Sequence, residues 1–171
     1  AEQILQSAAQ QREQLVSPVI AAILRKRQQG QPAGIQPPQP MAAWEFNADL
    51  RDSIGELHGT ARGNAVISDG SLQLDGAGSF VETPPLSKDI REKTLEAWVR
   101  LKTLEQSGGA AVSLQTSDGS VFDAIVFAER EPNRWMAGSN GFTRTASFQG
   151  AAENEAADRF IHVAIVYQQD G

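Results

Sequence analysis

Cysteine is absent from the 171-residue chain, which excludes disulfides, thiolate metal sites and covalently attached haem within it. Histidine is almost as scarce, with only His58 and His162. Two imidazoles without a third nitrogen or sulfur ligand do not make a transition-metal site. His162 stands inside an apolar strand pattern and predicts a hydrogen-bonded structural side chain, and His58, next to a glycine, predicts a turn residue. No catalytic residue is therefore predicted.

The chain also lacks long apolar runs and an excess of positive charge. Its most apolar N-terminal run, 15–24, is about half of the roughly 20 residues that a membrane span needs, and it contains Pro18. The net charge is −6, and because residues 1–40 carry +2, the remainder carries −8. Such an acidic domain repels phosphate backbones, so we predict no nucleic-acid partner and no membrane span. The basic cluster 25–27 is better explained as the cationic end of a helix.

Three zones follow one another along the sequence. Residues 1–29 are rich in Gln, Ala and Leu with apolar residues at helical spacing, which predicts a lead-in of short helices. Residues 30–41 contain four Pro and two Gly and predict an extended linker. From residue 42 to residue 171 the pattern changes to short β runs separated by turn residues.

The β runs predict an antiparallel sandwich. Residues 94–102 alternate strictly, with Leu95 and Val99 on one face and Trp98 on the other, as in a strand with one buried face. Asp69-Gly70 between two such runs is a strong hairpin signal. With no long helix between the strands, the fold class is mainly β. The predicted strands are 43–46, 65–67, 71–74, 79–82, 94–102, 111–115, 121–128, 134–137, 143–148 and 160–167, with single helical turns near 86–90 and 153–159.

The stretch 129–144 is the most unusual surface candidate. It combines aromatic rings with Arg and Asn donors in a Gly-rich setting, which is what sugar or peptide recognition uses. In the alternative interpretation Trp135 and Met136 fill the core, and Trp98 is open to the same two interpretations. The predicted ligand-binding residues are Arg130, Arg134, Trp135, Asn140, Phe142 and Arg144.

Four landmarks in order resemble a laminin G-like jellyroll of the concanavalin A-like family. They are an aromatic strand and its loop (Trp-Glu-Phe at 44–46 and Leu-Arg-Asp at 50–52), a hairpin (Leu-Gln-Leu-Asp-Gly at 72–76 and Phe-Val-Glu at 80–82), the strand Leu-Glu-Ala-Trp-Val at 95–99 and the run at 160–167. The resemblance implies a concanavalin A-like β-sandwich over residues 42–171. It also implies a sandwich that is incomplete at its C-terminal end, because such domains continue through further strands.

A narrower resemblance concerns residues 122–139, which are similar to the laminin G-like insert of large planctomycete multidomain proteins that often carry a cytochrome c domain. It implies an exported parent protein in the periplasm or cell envelope, in which this chain is a non-catalytic module that binds a polysaccharide or a protein beside neighbouring domains. The first alternative is a structural spacer or docking insert without a ligand.

The family also includes glycosidases, so a polysaccharide hydrolase or lyase is the weaker alternative. The β-glucanases of this fold carry E-x-D-x-E on one strand, because their two reacting carboxylates lie about 5 Å apart. Here the nearest patterns, at 129–131 and 153–158, lack that spacing and predict solvated surface charge. Laminin G-like domains often hold calcium through oxygen ligands, which makes Asp49, Asp52 and Asp75 the calcium candidates. The alternative is that these residues stabilise turns.

Overall fold

The computed structural model describes residues 38–168. The predicted helical lead-in (1–29) and most of the linker (30–41) lie outside the described residues and stay predictions. Within the described part the protein is mainly β, and no helix there is long and apolar enough to cross a membrane. The strands are β1 (Thr60–Arg62), β2 (Val66–Ser68), β3 (Ser71–Gln73), β4 (Phe80–Glu82), β5 (Lys93–Val99), β6 (Ala110–Gln115), β7 (Phe122–Phe127), β8 (Trp135–Ser139) and β9 (Ile161–Tyr167).

The N-terminal strands form two short antiparallel pairs, β2–β3 and β1–β4. The β2–β3 hairpin turns at Asp69-Gly70, where both residues have positive φ angles of 51° and 69°. Two consecutive left-handed residues are the geometry that matches strand twist in a two-residue hairpin, so the hairpin prediction is confirmed. In the second pair Arg62 lies opposite Phe80, and the Arg62 guanidinium bonds the carboxylate of Glu82.

The core lies between two sheets. β5 and β9 pair over seven residues, from Lys93↔Tyr167 to Val99↔Ile161, and β7 lies between β6 and β8. Because side chains alternate along a strand, one face of each sheet is turned toward the other sheet. Ile125 is fully buried there, and the core is completed by Val163, Ile165, Leu95, Val112, Trp135, Ala137, Ile161 and Tyr167.

A smaller apolar cluster covers the opposite face of the three-stranded sheet. Ala124 and Val126 of β7 pack there with Met136 of β8, and Phe122 and Phe142 lie against them. β7 is therefore buried on both faces, which explains its continuous apolar sequence.

Several elements differ from the sequence prediction. The run 43–46 forms only an isolated bridge between Trp44 and Asp52, because the Trp44 indole donates to the carbonyl of Leu57 and holds the segment in a loop. The run 143–148 is not a strand. The chain leaves β8 through a short 3-10 turn, Asn140–Phe142, in which Gly141 has a φ of 61° and turns the backbone out of the sheet.

Three smaller predictions are corrected as well. β1 lies in a loop for which no strand is predicted. In 153–159 the carbonyl of Glu155 accepts the backbone N–H groups of Asp158 and Arg159, which gives the predicted single turn, whereas 86–90 contains only bends. β9 is predicted to be a central strand, but among the described residues it pairs only with β5.

Candidate ligand-binding site

An open groove of about 430 Å³ lies between β9 and the irregular segment that leads into it. One wall is formed by consecutive residues of β9, 161–165, and the other by 150–155 together with Phe148. Its size falls within the range of small-ligand pockets, about 300–1,000 Å³. The groove is therefore one candidate ligand site.

The wall of the groove is fixed by Trp135 and Glu153. The Trp135 indole N–H donates to the Glu153 carboxylate at 3.1 Å, and the other carboxylate oxygen accepts the backbone N–H groups of Glu155 and Ala156. Partial burial raises the pKa of Glu153, but these hydrogen bonds outweigh it and lower the pKa overall. Glu153 therefore stays ionised at neutral pH and acts as an acceptor that orients the indole.

The mouth of the groove carries polar side chains on both sides. Arg159 bonds the carboxylate of Glu155 through two of its nitrogens. His162 lines the opposite side on β9, with its Nε2 3.6 Å from a carboxylate oxygen of Glu96. A ligand in the groove would meet both donors and acceptors at the rim.

Four of the predicted ligand-binding residues meet around the 3-10 turn, where they contact one another or the nearby backbone. The Arg130 guanidinium lies 4.2 Å from the centre of the Phe142 ring and donates to the carbonyl of Gly141. Asn140 accepts a hydrogen bond from Arg144 through its side-chain oxygen. Phe142 is packed between this guanidinium and the apolar cluster on the outer face of the sheet.

Arg144 belongs to a charged cluster that joins the two sheets. Asp123 of β7 accepts hydrogen bonds from Arg144 at 2.8 Å and from the Lys93 ammonium of β5 at 2.6 Å. Burial raises the pKa of Asp123, but Lys93 and Arg144 outweigh burial and lower it overall. Lys93 also lies 4.8 Å from the centre of the Tyr167 ring. Burial is the main cause that raises the pKa of that phenol to about 12, and its hydroxyl donates to a backbone carbonyl.

The other two predicted residues, Arg134 and Trp135, lie away from the 3-10 turn. The Trp135 ring packs 5.0 Å from the Phe127 ring and contributes to the main core, as the alternative interpretation has it. Arg134 lies 3.8 Å from the Glu131 carboxylate. The stretch 129–144 therefore does not form one continuous ligand surface.

The three calcium candidates are not brought together. Asp52, with 6% of its surface exposed, accepts backbone N–H groups from Ala43, Ile54 and Leu57. Desolvation opposes their effect, but these bonds lower its pKa to about 2. Asp75, on another loop, accepts from Ala77 and Asn64, and Asp49 accepts the backbone N–H of Arg51. No three His, Asp or Glu side chains of residues 38–168 converge as a metal site. Each of these Asp residues accepts hydrogen bonds within its own loop, as the alternative interpretation of turn-stabilising residues expects, and calcium binding stays a prediction.

The two histidines occupy exposed positions. His58 accepts the backbone N–H of Asp52 through Nδ1, as expected of a turn residue. His162 packs against the Trp98 ring on the outward face of β5 and β9, with 5.1 Å between the ring centres. Trp98 therefore does not fill the core, and the alternation of its strand is the sequence signal that places it outside.

One comparison with protein families gives a match. Residues 75–171 match the model of the concanavalin A-like lectin/glucanases superfamily. The chain belongs to this superfamily. Comparisons with curated proteins and with solved structures give no significant match. The two facing sheets, the antiparallel pairing and the absence of α-helices between the strands of 38–168 agree with a concanavalin A-like sandwich.

Proposed function

We propose that this domain is a non-catalytic module that binds a carbohydrate or a protein. The groove beside β9 is the observation that carries the proposal, since it combines a suitable volume with Trp135, Glu153 and His162 on its walls. Membership of a superfamily that includes lectins agrees with a binding role.

The non-catalytic part of the proposal is supported by the acidic residues. A glycosidase needs a general acid whose pKa is raised. In residues 38–168 the carboxyl groups whose pKa departs clearly from the usual range all have it lowered: Asp52, Asp75, Asp118, Asp123 and Glu153. In the two sequence patterns that come closest to a catalytic strand, 129–131 and 153–158, a carboxylate is also paired with an arginine. Glu131 faces Arg134, and Glu155 bonds Arg159. A hydrolase or lyase is therefore the weakest of the three functions.

The wider setting of the module rests on resemblance. The similarity of residues 122–139 to the insert of planctomycete multidomain proteins supports an exported parent protein in the periplasm or cell envelope. The neighbouring domains of that parent would then be partners of this module.

A structural spacer is the second candidate function, and one observation favours it. The side chains of Arg130, Asn140 and Arg144 form hydrogen bonds within the domain. A surface built in this way stabilises the fold but presents few free donors to a ligand.

The groove is tested with a variant that blocks it. Ala152 lies exposed on one wall, so Ala152→Arg places a long side chain at the groove without disturbing the core. The matched control is Ala61→Arg, on exposed strand β1. The 171-residue chain is applied to a glycan array and to immobilised extracellular proteins of a planctomycete.

We expect binding by the wild type and the control, and loss of binding by Ala152→Arg. Equal binding by all three would remove the groove as the site. A wild type that binds nothing at millimolar ligand would leave the spacer as the function.

A further inference from the structure

The outward face of the β5–β9 pair carries a second surface, which borders the groove and shares His162 and Ala164 with its wall. Alternation places Thr94, Glu96 and Trp98 of β5 outward, opposite Val166, Ala164 and His162 of β9. Trp98 keeps 68% of its surface exposed and Val166 keeps 63%. We name these six residues the Trp98 ribbon.

The Trp98 indole is held in place although it is exposed. Its ring lies 5.1 Å from the His162 ring at an interplanar angle of 32°. Such a cross-strand aromatic pair limits the rotamers of both side chains. An indole that is fixed and exposed is already organised for stacking, so little side-chain entropy is lost when a ligand binds to it.

Polar groups stand at the edges of this aromatic surface. Glu96, an acceptor, lies beside His162, and Arg100 directly follows β5 with its guanidinium 5.5 Å from the centre of the exposed Phe160 ring. An apolar face with donors and acceptors at its rim matches a sugar, whose ring presents C–H groups on one face and hydroxyl groups around its edge.

The charge of this surface indicates whether a neutral or an anionic polysaccharide would bind to it. The ribbon and its flank hold one formal anion, Glu96, and one formal cation, Arg100, so they offer no local excess of positive charge. The rest of the domain is acidic, because the sequence after residue 40 carries −8. A polyanion such as a uronic-acid polymer is therefore repelled, and a neutral polysaccharide is not.

The size of the ribbon disfavours a protein partner. Two strands of seven residues, spaced about 4.8 Å apart with a rise of about 3.3 Å per residue, cover on the order of 200 Å². A stable protein interface buries about 800 Å² on each partner. A short stretch of polysaccharide fits the smaller area.

We propose that the Trp98 ribbon is a binding surface for a neutral polysaccharide, with the indole as the stacking platform. This inference rests on the proposed binding function and assigns it a ligand class and a surface. Trp98 stacks on the sugar ring, and Glu96 and His162 accept or donate hydrogen bonds at its hydroxyl groups.

The experiment is affinity electrophoresis of the 171-residue chain in gels that contain laminarin or galactomannan, both neutral, or polygalacturonate, which is acidic. Binding constants for the polysaccharide that retards the chain are then measured by calorimetry. The test variants are Trp98→Ala and Trp98→Phe, and the control is Phe80→Ala, which removes an exposed ring on β4. Circular dichroism verifies that each variant is folded.

We expect a neutral polysaccharide to bind the wild type and the Phe80→Ala control equally. Trp98→Ala should weaken binding at least tenfold, and Trp98→Phe should recover part of it. Binding that is unchanged in Trp98→Ala overturns the ribbon and leaves the binding function intact.

Three further outcomes also contradict the inference. Preferential retardation by polygalacturonate overturns the choice of a neutral ligand. A dimer in sedimentation experiments that Trp98→Ala dissociates assigns the ribbon to a second copy of the chain. If neither neutral polysaccharide binds the wild type, the inference fails, and the glycan array separately decides whether the proposed function fails with it.

Discussion

Replacing Asp123 with Asn should destabilise the domain strongly, because it leaves a buried cation without its counter-charge. The Lys93 side chain is only 9% exposed and lies 2.6 Å from an Asp123 oxygen. Removing one partner of a buried ion pair typically costs 3–5 kcal/mol. The Tyr167 ring near the ammonium and the partial exposure of Arg144 reduce that loss, so we expect about 3 kcal/mol.

Urea denaturation followed by tryptophan fluorescence measures this effect. With a dependence on urea of about 1–3 kcal/mol per molar, the midpoint should fall by about 1–3 M. The double variant Lys93→Met, Asp123→Leu removes both charges and should recover much of the loss, because a buried pair replaced by apolar residues is often nearly neutral.

The matched comparison is Arg159→Met, which breaks an exposed pair with Glu155 and should change stability by less than about 1 kcal/mol. The reasoning is refuted if Asp123→Asn costs no more than Arg159→Met, since the cluster would then contribute nothing that an exposed ion pair does not.

Three further predictions concern other parts of the domain. Asp52→Asn should lower stability at pH 7 by about 2 kcal/mol, because the pKa of Asp52 is about 2 against an ordinary 3.8. That contribution is present above about pH 4 and is lost as the pH falls toward 2, so a difference that persists at pH 2 in denaturation curves would contradict it. Gly138→Ala should cost about 1–3 kcal/mol by the same assay, because the new Cβ would lie 2.7 Å from a methyl group of the buried Val126; an unchanged midpoint would contradict the packing. Removal of calcium with a chelator should leave the melting temperature unchanged, because the oxygens of Asp52 and Asp75 already accept hydrogen bonds; a lower midpoint would instead support a calcium site.

The candidate site could be predicted only in part. The alternation of residues 94–102 placed Trp98 outside, and nothing beyond that local periodicity was needed. The pattern of 129–144 could not show that Arg144 bonds Asp123, which is 21 positions earlier. A sequence of aromatic and basic residues looks the same whether its donors face a ligand or the domain itself.

The groove beside β9 had no signal in the sequence. Its walls come from a strand and from a segment without regular structure, and the contact between Trp135 and Glu153 spans 18 positions. Irregular segments have no periodicity from which their position can be read. The wrong strand prediction at 143–148 has the same origin, because the positive φ of Gly141 in the turn, and not the β propensity that follows it, decides where the chain goes.

The sequence by itself determined the mainly β class, the strand boundaries of β5 and β7 to within a few residues, the hairpin at Asp69-Gly70 and the superfamily. These depend on local patterns of period two and on turn residues whose conformational preferences are short-ranged. Only the tertiary structure decided which polar groups are satisfied internally. Lys93, Asp123 and Arg144 are separated along the chain by tens of residues, and they meet because two sheets pack face to face. Their roles follow from that packing, which no local preference encodes.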